Sequence, residues 1–188
     1  EMGIDFGQPS LDIDRLRAWK DSVVDGLTSG LAGLADSRKV EHIRSRARLT
    51  GPNALVLEGG EQNGQQLEFE QAIIASGSSA VVPETLASED PRLMTSEQAL
   101  ELADVPETLL VVGGGYIGLE LGTVYATLGS RVTVVEATSS LLPGVDSDLV
   151  RPLARRLEGL FEEILLDTSA SLAGDNGAGL KMRLEGKG

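Results

Sequence analysis

Residues 108–136 constrain this chain more than any other stretch. The apolar run Thr108-Leu109-Leu110-Val111-Val112 gives way at Gly113 to a Gly-x-Gly-x-x-Gly pattern, after which apolar residues fall at helical spacing from Tyr116 to Leu128. The pattern reads as strand, tight turn and helix. Gly129-Ser130 stops the helix, and Arg131-Val132-Thr133-Val134-Val135-Glu136 reads as a second buried strand, completing a compact βαβ unit. Each glycine has its own task. Gly113 permits the turn, Gly115 takes a side chain away from backbone amides, and Gly118 lets the helix lie close on the strand. The helix N-terminus then offers unpaired N–H groups and a partial positive charge to a phosphate-bearing ligand.

The glycine pattern alone is a weak signal in a chain with 23 glycines among 188 residues. The order of the elements around it supplies the specificity. Glu136 lies 18 residues beyond Gly118, where an acid ending the second strand accepts hydrogen bonds from an adenosine ribose. A 2′-phosphate would meet that carboxylate as a like charge, and no Lys or Arg lies between Arg131 and Arg151 to receive it. A dinucleotide site preferring NAD over NADP is expected. The simpler alternative is a ligand-free strand-to-helix joint in which Glu136 is a solvated strand end. A membrane span over Leu109 to Gly129 is opposed by Glu120 and the glycine triplet, since a span takes about 20 predominantly apolar helical residues.

The 16 basic and 29 acidic side chains give a net charge of −13, with the acidic excess carried by both halves of the chain. That balance argues against nucleic acid or an anionic membrane as a partner. The chain has no cysteine, hence no disulfide or thiolate chemistry of its own, and its single histidine and scattered carboxylates make no metal site by spacing. Glu1-Met2-Gly3-Ile4-Asp5 lacks the basic start and apolar centre of a signal peptide, so a cytoplasmic location is expected.

Ahead of the glycine unit, Glu1 to Pro9 reads as a loop, and Asp12 is placed to cap a helix running to about Ala35. Leu16, Trp19, Val23, Leu27, Leu31 and Leu34 form an apolar stripe on it, with Trp19 as a packed anchor. Gly26, Gly30 and Gly33 weaken that helix intrinsically and call for tertiary packing or a close neighbour. Val40 to Arg44, Arg46 to Leu49, Ala54 to Leu57 and Leu67 to Phe69 read as an antiparallel meander, with Arg44, Arg46 and Arg48 on a solvated face. Gln71 to Ser78 reads as a short buried strand, and Ser96 to Leu100 begins a short helix. Beyond Glu136, Asp146 to Leu157 is helical and Glu163 to Leu166 strand-like. Ser169 to Ala173 and Leu180 to Leu184 form a hairpin across Gly174-Asp175-Asn176-Gly177. No further parallel strand for the βαβ unit is evident in the pattern.

Taken together and in order, Ala75-Ser76-Gly77-Ser78, Gly113 to Glu120, Gly129 to Glu136 and Leu142-Pro143-Gly144 closely resemble the dihydrolipoamide dehydrogenase branch of the pyridine nucleotide-disulfide oxidoreductases. The resemblance covers essentially the whole chain. The NADP-using glutathione reductases are less similar, because basic residues are missing after the second strand. The resemblance implies an α/β fold: residues 1–95 as part of an FAD-binding domain with a helix and an antiparallel β-meander, and residues 96–188 as most of an inserted, Rossmann-like NAD-binding domain. Gly113, Gly115, Ile117 and Gly118 would line the pyrophosphate, Glu136 with Ala137 would hold the adenosine ribose, and Glu120 would lie near the nicotinamide. Tyr116 occupies a position that can cover the nicotinamide pocket. Ala75, Ser76 and Gly77 match a turn that closes beside FAD, with serine in place of threonine.

Several parts of the family pattern have no counterpart here. The first FAD-binding glycine fingerprint, the redox-active cysteine pair and the dimerisation domain with its histidine–glutamate pair are missing, so the chain reads as an internal fragment. The resemblance implies an oxidoreductase that carries electrons from dihydrolipoyl groups through a disulfide and flavin to NAD, as a homo-oligomer working with lipoyl-bearing components of 2-oxoacid dehydrogenase complexes. Alone, this chain is expected to be inactive. The alternative is a non-catalytic dinucleotide-binding or interaction module, for which the natural reading frame would start near Glu1 and stop near Gly188. Flanking sequence with a Cys-x-x-x-x-Cys motif would favour the enzyme.

Overall fold

A computed structural model describes residues 10–175, 177 and 179–186. The loop expected over Glu1 to Pro9, and Asn176 within the hairpin turn, lie outside the described residues. The chain divides into two compact units, one formed by residues 18–79 and the other by residues 1–17 with 80–188. The division falls within the first helix, α1 (Ile13–Ser37).

The first turn of α1, part of the larger unit, begins where the sequence places it, because the Arg15 N–H donates to the Asp12 carboxylate at 3.0 Å; the rest of the helix and the meander after it belong to the smaller unit. The packed stripe on α1 is not found. Trp19 is 65% exposed, Leu27 and Leu31 slightly more, and of the helix's large apolar residues only Ile13 and Leu16 pack against the core of the larger unit. Helical spacing marks which residues share a face, but nothing among the described residues covers this one, and Gly26, Gly30 and Gly33 face open space. The meander forms as β1 (Arg46–Gly51), β2 (Ala54–Glu58) and β3 (Gln66–Glu68), antiparallel in that order. Arg48 pairs with Glu58 across the β1–β2 ladder on an exposed face.

Two expected strands are absent from this unit. Residues 40–44 and 71–78 join no ladder, and Ile73 is 94% exposed. A strand needs a neighbour for its N–H and C=O groups, and among the described residues neither run has one.

The larger unit holds the parallel sheet. After a short 3₁₀ turn (Glu84–Leu86) and α2 (Ser96–Glu101), β4 (Thr108–Val112) leads through the glycines into α3 (Tyr116–Leu128) and then β5 (Arg131–Val135). These match the sequence reading nearly residue for residue. After α4 (Ser147–Glu158) comes the strand read over Glu163 to Leu166, and it supplies the further parallel strand that the pattern left unassigned: β6 (Glu163–Leu165) pairs in parallel with β5, giving the order β4-β5-β6. So short a strand shows its extended character but not which strand it pairs with. The hairpin β7 (Thr168–Asp175) and β8 (Leu180–Gly186) closes the unit. Arg92 ties the connector to it, bridging Asp90 and Asp175 at 2.6 Å each.

The core lies on the central strand. Val132 and Val134 are fully buried among Leu119, Tyr125, Leu157 and Phe161, as expected of a parallel strand covered on its faces. Tyr125 is buried because its hydroxyl finds a partner, donating to the Ala99 carbonyl at 2.9 Å. α3 approaches the sheet closely at two glycines. A Cβ on Gly118 would sit 2.3 Å from the Gly113 carbonyl oxygen, and one on Gly122 would sit 3.2 Å from the Phe161 ring.

Gly118→Ala is expected to lower stability by about 1–3 kcal/mol or more, because the clash is with backbone. Gly26→Ala, on exposed helix, should raise stability by up to about 1 kcal/mol. Thermal melts of the two variants against the parent check both signs.

Candidate dinucleotide site at the end of the parallel sheet

The site is assembled where β4 and β5 end. The ladder extends one residue past β4, with the Gly113 N–H donating to the Val135 carbonyl at 2.8 Å. Gly113 then adopts a φ of +111°, which turns the chain into the helix. Gly115 caps α3 with extended backbone, and its carbonyl accepts the first helical bond, from the Leu119 N–H at 3.0 Å. A Cβ on Gly115 would meet nothing within 4 Å, so the backbone here borders open space. The first N–H groups of α3 have no partner within the helix and point to that side. Tyr116, Ile117 and Glu120 lie exposed on the same first turns.

Glu136 follows β5 and is 8% exposed, one of few buried charged residues described. It is not a solvated strand end. One carboxylate oxygen accepts from the Gly114 N–H at 2.7 Å, and the other accepts from the Thr138 N–H and hydroxyl at 2.8 Å each. Burial works to raise its pKa, but these hydrogen bonds, with a backbone contribution from Ala137, outweigh it and leave the pKa below the ordinary value. The buried side chain is therefore an anion held by dipoles.

The backbone of Glu136 is fixed as well. Its N–H donates to Leu165 at 2.8 Å, its carbonyl accepts from Thr168 at 2.9 Å, and Thr138 accepts from Asp167 at 2.9 Å.

The expected residues Gly113, Gly115, Tyr116, Ile117, Gly118, Glu120, Glu136 and Ala137 thus belong to one compact unit, and Gly114 links the glycine loop to Glu136. Ala75, Ser76 and Gly77 belong to the other, exposed, with Gly77 at a φ of +75°. Sequence reasoning passed over Gly114 and Thr138. A Cβ on Gly114 would sit 2.7 Å from Leu141 and 3.1 Å from the Glu136 Cβ, so the middle glycine of the triplet is required by packing, as Gly113 is by its φ. The triplet was the available signal for it; Thr138 had none. A separate cavity of about 450 Å³ lies between α4, β6 and the 139–147 loop, without the glycine loop in its lining. Among the described residues no cluster suits a metal ion, and no helix is long and apolar enough to cross a membrane.

Comparison with known proteins identifies the family. The family model for pyridine nucleotide-disulphide oxidoreductases matches residues 5–187. The chain belongs to that family. Among its relatives, dihydrolipoyl dehydrogenase of Vibrio parahaemolyticus is 41% identical over 98% of this chain and 38% of its own length. That of Haloferax volcanii is 43% identical over 91% of this chain and 36% of its own. The chain therefore spans about two fifths of the relatives it matches. Among solved structures, the HOCl-induced flavoprotein disulfide reductase RclA of Escherichia coli superposes with a TM-score of 0.74 at 27% identity, covering 94% of this chain and 40% of that one. LpdA of Mycobacterium tuberculosis superposes at 0.80 over 95% of this chain and 40% of that one; at 22% identity it supports the fold alone.

The state of Glu136 has a pH signature. A carboxyl whose folded pKa is lowered stabilises the fold above its ordinary value, and that contribution is lost as pH falls through the folded pKa. Glu136→Gln places an amide NH₂ against N–H or O–H donors, so the variant should be less stable than the parent at neutral pH. The gap should narrow as pH drops below about 4.5. Urea midpoints of both proteins between neutral pH and about pH 3 test this, and a constant gap would contradict it.

Proposed function

We propose that this chain is the NAD-binding part, with a portion of the FAD-binding part, of a flavin-dependent dihydrolipoyl dehydrogenase. The observation that carries the reading is the buried, hydrogen-bonded Glu136 carboxylate beside an open helix N-terminus at the carboxyl end of a parallel sheet. Residues 96–188 form the nucleotide domain, and residues 1–95 contribute to the flavin domain, with the stretch from Ala80 packing on the former. Gly113, Gly115, Ile117 and Gly118 receive the pyrophosphate, and open space at Gly115 fits that role. Glu136 and Ala137 hold the adenosine ribose. Three donors already occupy the Glu136 carboxylate, leaving about one of its four acceptor sites for a ribose hydroxyl. Glu120 and Tyr116 face the nicotinamide end.

Ala75, Ser76 and Gly77 form the turn beside FAD. The left-handed Gly77 and the exposed, unpaired run 71–78 support their serving as a wall for a group that this chain only partly encloses. Bound NAD supplies the two-electron acceptor. This chain's residues bind and orient it, and a chain without cysteine supplies no thiol chemistry. The complete protein is proposed to oxidise dihydrolipoyl groups on components of 2-oxoacid dehydrogenase complexes, as a cytoplasmic homo-oligomer. The chain alone is proposed to be inactive.

Fluorescence titration of the chain with NADH should give saturable binding, tighter than NADPH. Glu136→Ala should weaken it by about tenfold or more, the scale of a hydrogen bond to a charged group. A folded chain that binds neither nucleotide would refute the reading.

A further inference from the structure

We infer that Thr138 is a positioning residue for the nucleotide site, holding the Glu136 carboxylate in the orientation that leaves its remaining acceptor site to a ribose hydroxyl. The inference rests on the reading of Glu136 as the ribose acceptor. Thr138 reaches the same carboxylate oxygen twice, through its N–H and its hydroxyl, each at 2.8 Å. Its hydroxyl also lies 3.0 Å from the Ser140 carbonyl, but it carries one hydrogen, and the bond to an anion is the stronger use of it. Its own carbonyl is fixed by the Asp167 N–H at 2.9 Å, so the turn that aims the hydroxyl is tied to the segment after β6.

The partners of the carboxylate are N–H groups and one hydroxyl, none of them a cation. The geometry splits the work. Gly114 fixes the oxygen on the glycine-loop side, and Thr138 fixes the other against rotation. Without the hydroxyl, that oxygen keeps a single protein donor and the carboxylate swings more freely. It then meets the ribose with an orientation cost and holds its proton more tightly. The side chain of Thr138 is exposed, so removing its hydroxyl leaves the core intact.

Thr138→Val keeps the shape and deletes the hydroxyl, while Thr138→Ser restores it. Two measurements on the full chain decide the matter. The carboxyl carbon of Glu136, followed by NMR without nucleotide, should titrate at higher pH in Thr138→Val than in the parent, with Thr138→Ser returning it towards the parent value. In NADH titrations, Thr138→Val should weaken binding by about three- to tenfold and Thr138→Ser by less. An unchanged carboxyl titration in Thr138→Val overturns the inference whether or not NADH binds. Unchanged NADH affinity in Thr138→Val beside a binding parent also overturns it. A parent chain that binds no NADH refutes the cofactor reading and with it the role of Thr138 in binding, even where the carboxyl titration shifts.

Discussion

The buried carboxylate of Glu136 hydrogen-bonds the glycine loop to the turn after β5, and the geometry of the site depends on it. The ladder brings Gly113 and Val135 together, but a ladder ends with its last bond. Beyond it, the loop and the turn are held by this carboxylate and by the Leu142 N–H, which donates to the Gly114 carbonyl at 2.9 Å. A buried anion there is tolerated because three hydrogen bonds surround it, and removing any of them would leave charge poorly solvated. The clamp therefore places a fixed negative charge beside a helix N-terminus, an arrangement suited to a ligand carrying both phosphate and hydroxyl groups.

Close packing reinforces the clamp from the helix side. Gly118 permits contact between α3 and the Gly113 carbonyl, Gly122 admits the Phe161 ring, and Gly114 gives room to Leu141 and the Glu136 stem. Three glycines thus serve proximity, while Gly113 serves conformation. Gly115 is different: none of the described residues crowds it, and its lack of a side chain leaves open space at the helix cap.

Much of this was legible in the sequence wherever a pattern extended over several residues. The β4–α3–β5 unit was readable because a buried Val-rich run, three spaced glycines and a helical period agree with one another. β6 was read as a strand, but its parallel pairing with β5 was not, since pairing is a tertiary fact that no local pattern carries. The run 71–78 was misread for the opposite reason: its residues suit a strand, but a strand requires a partner. The stripe on α1 is a true helical face, and sequence cannot say whether a face is covered. At the site, spacing identified Gly113, Gly115, Gly118 and Glu136. Spacing missed Thr138, whose part arises only when the turn brings its hydroxyl back to a residue two positions earlier.

The central claim is that the Glu136 clamp and the α3 N-terminus form one nucleotide-binding surface. Amide chemical-shift mapping of the full chain during NADH titration tests this most directly. The account predicts the largest changes at the N–H groups of residues 113–118, 137 and 138, with the meander residues 46–58 little affected. No change at saturating NADH, or changes centred on the meander instead, would contradict it.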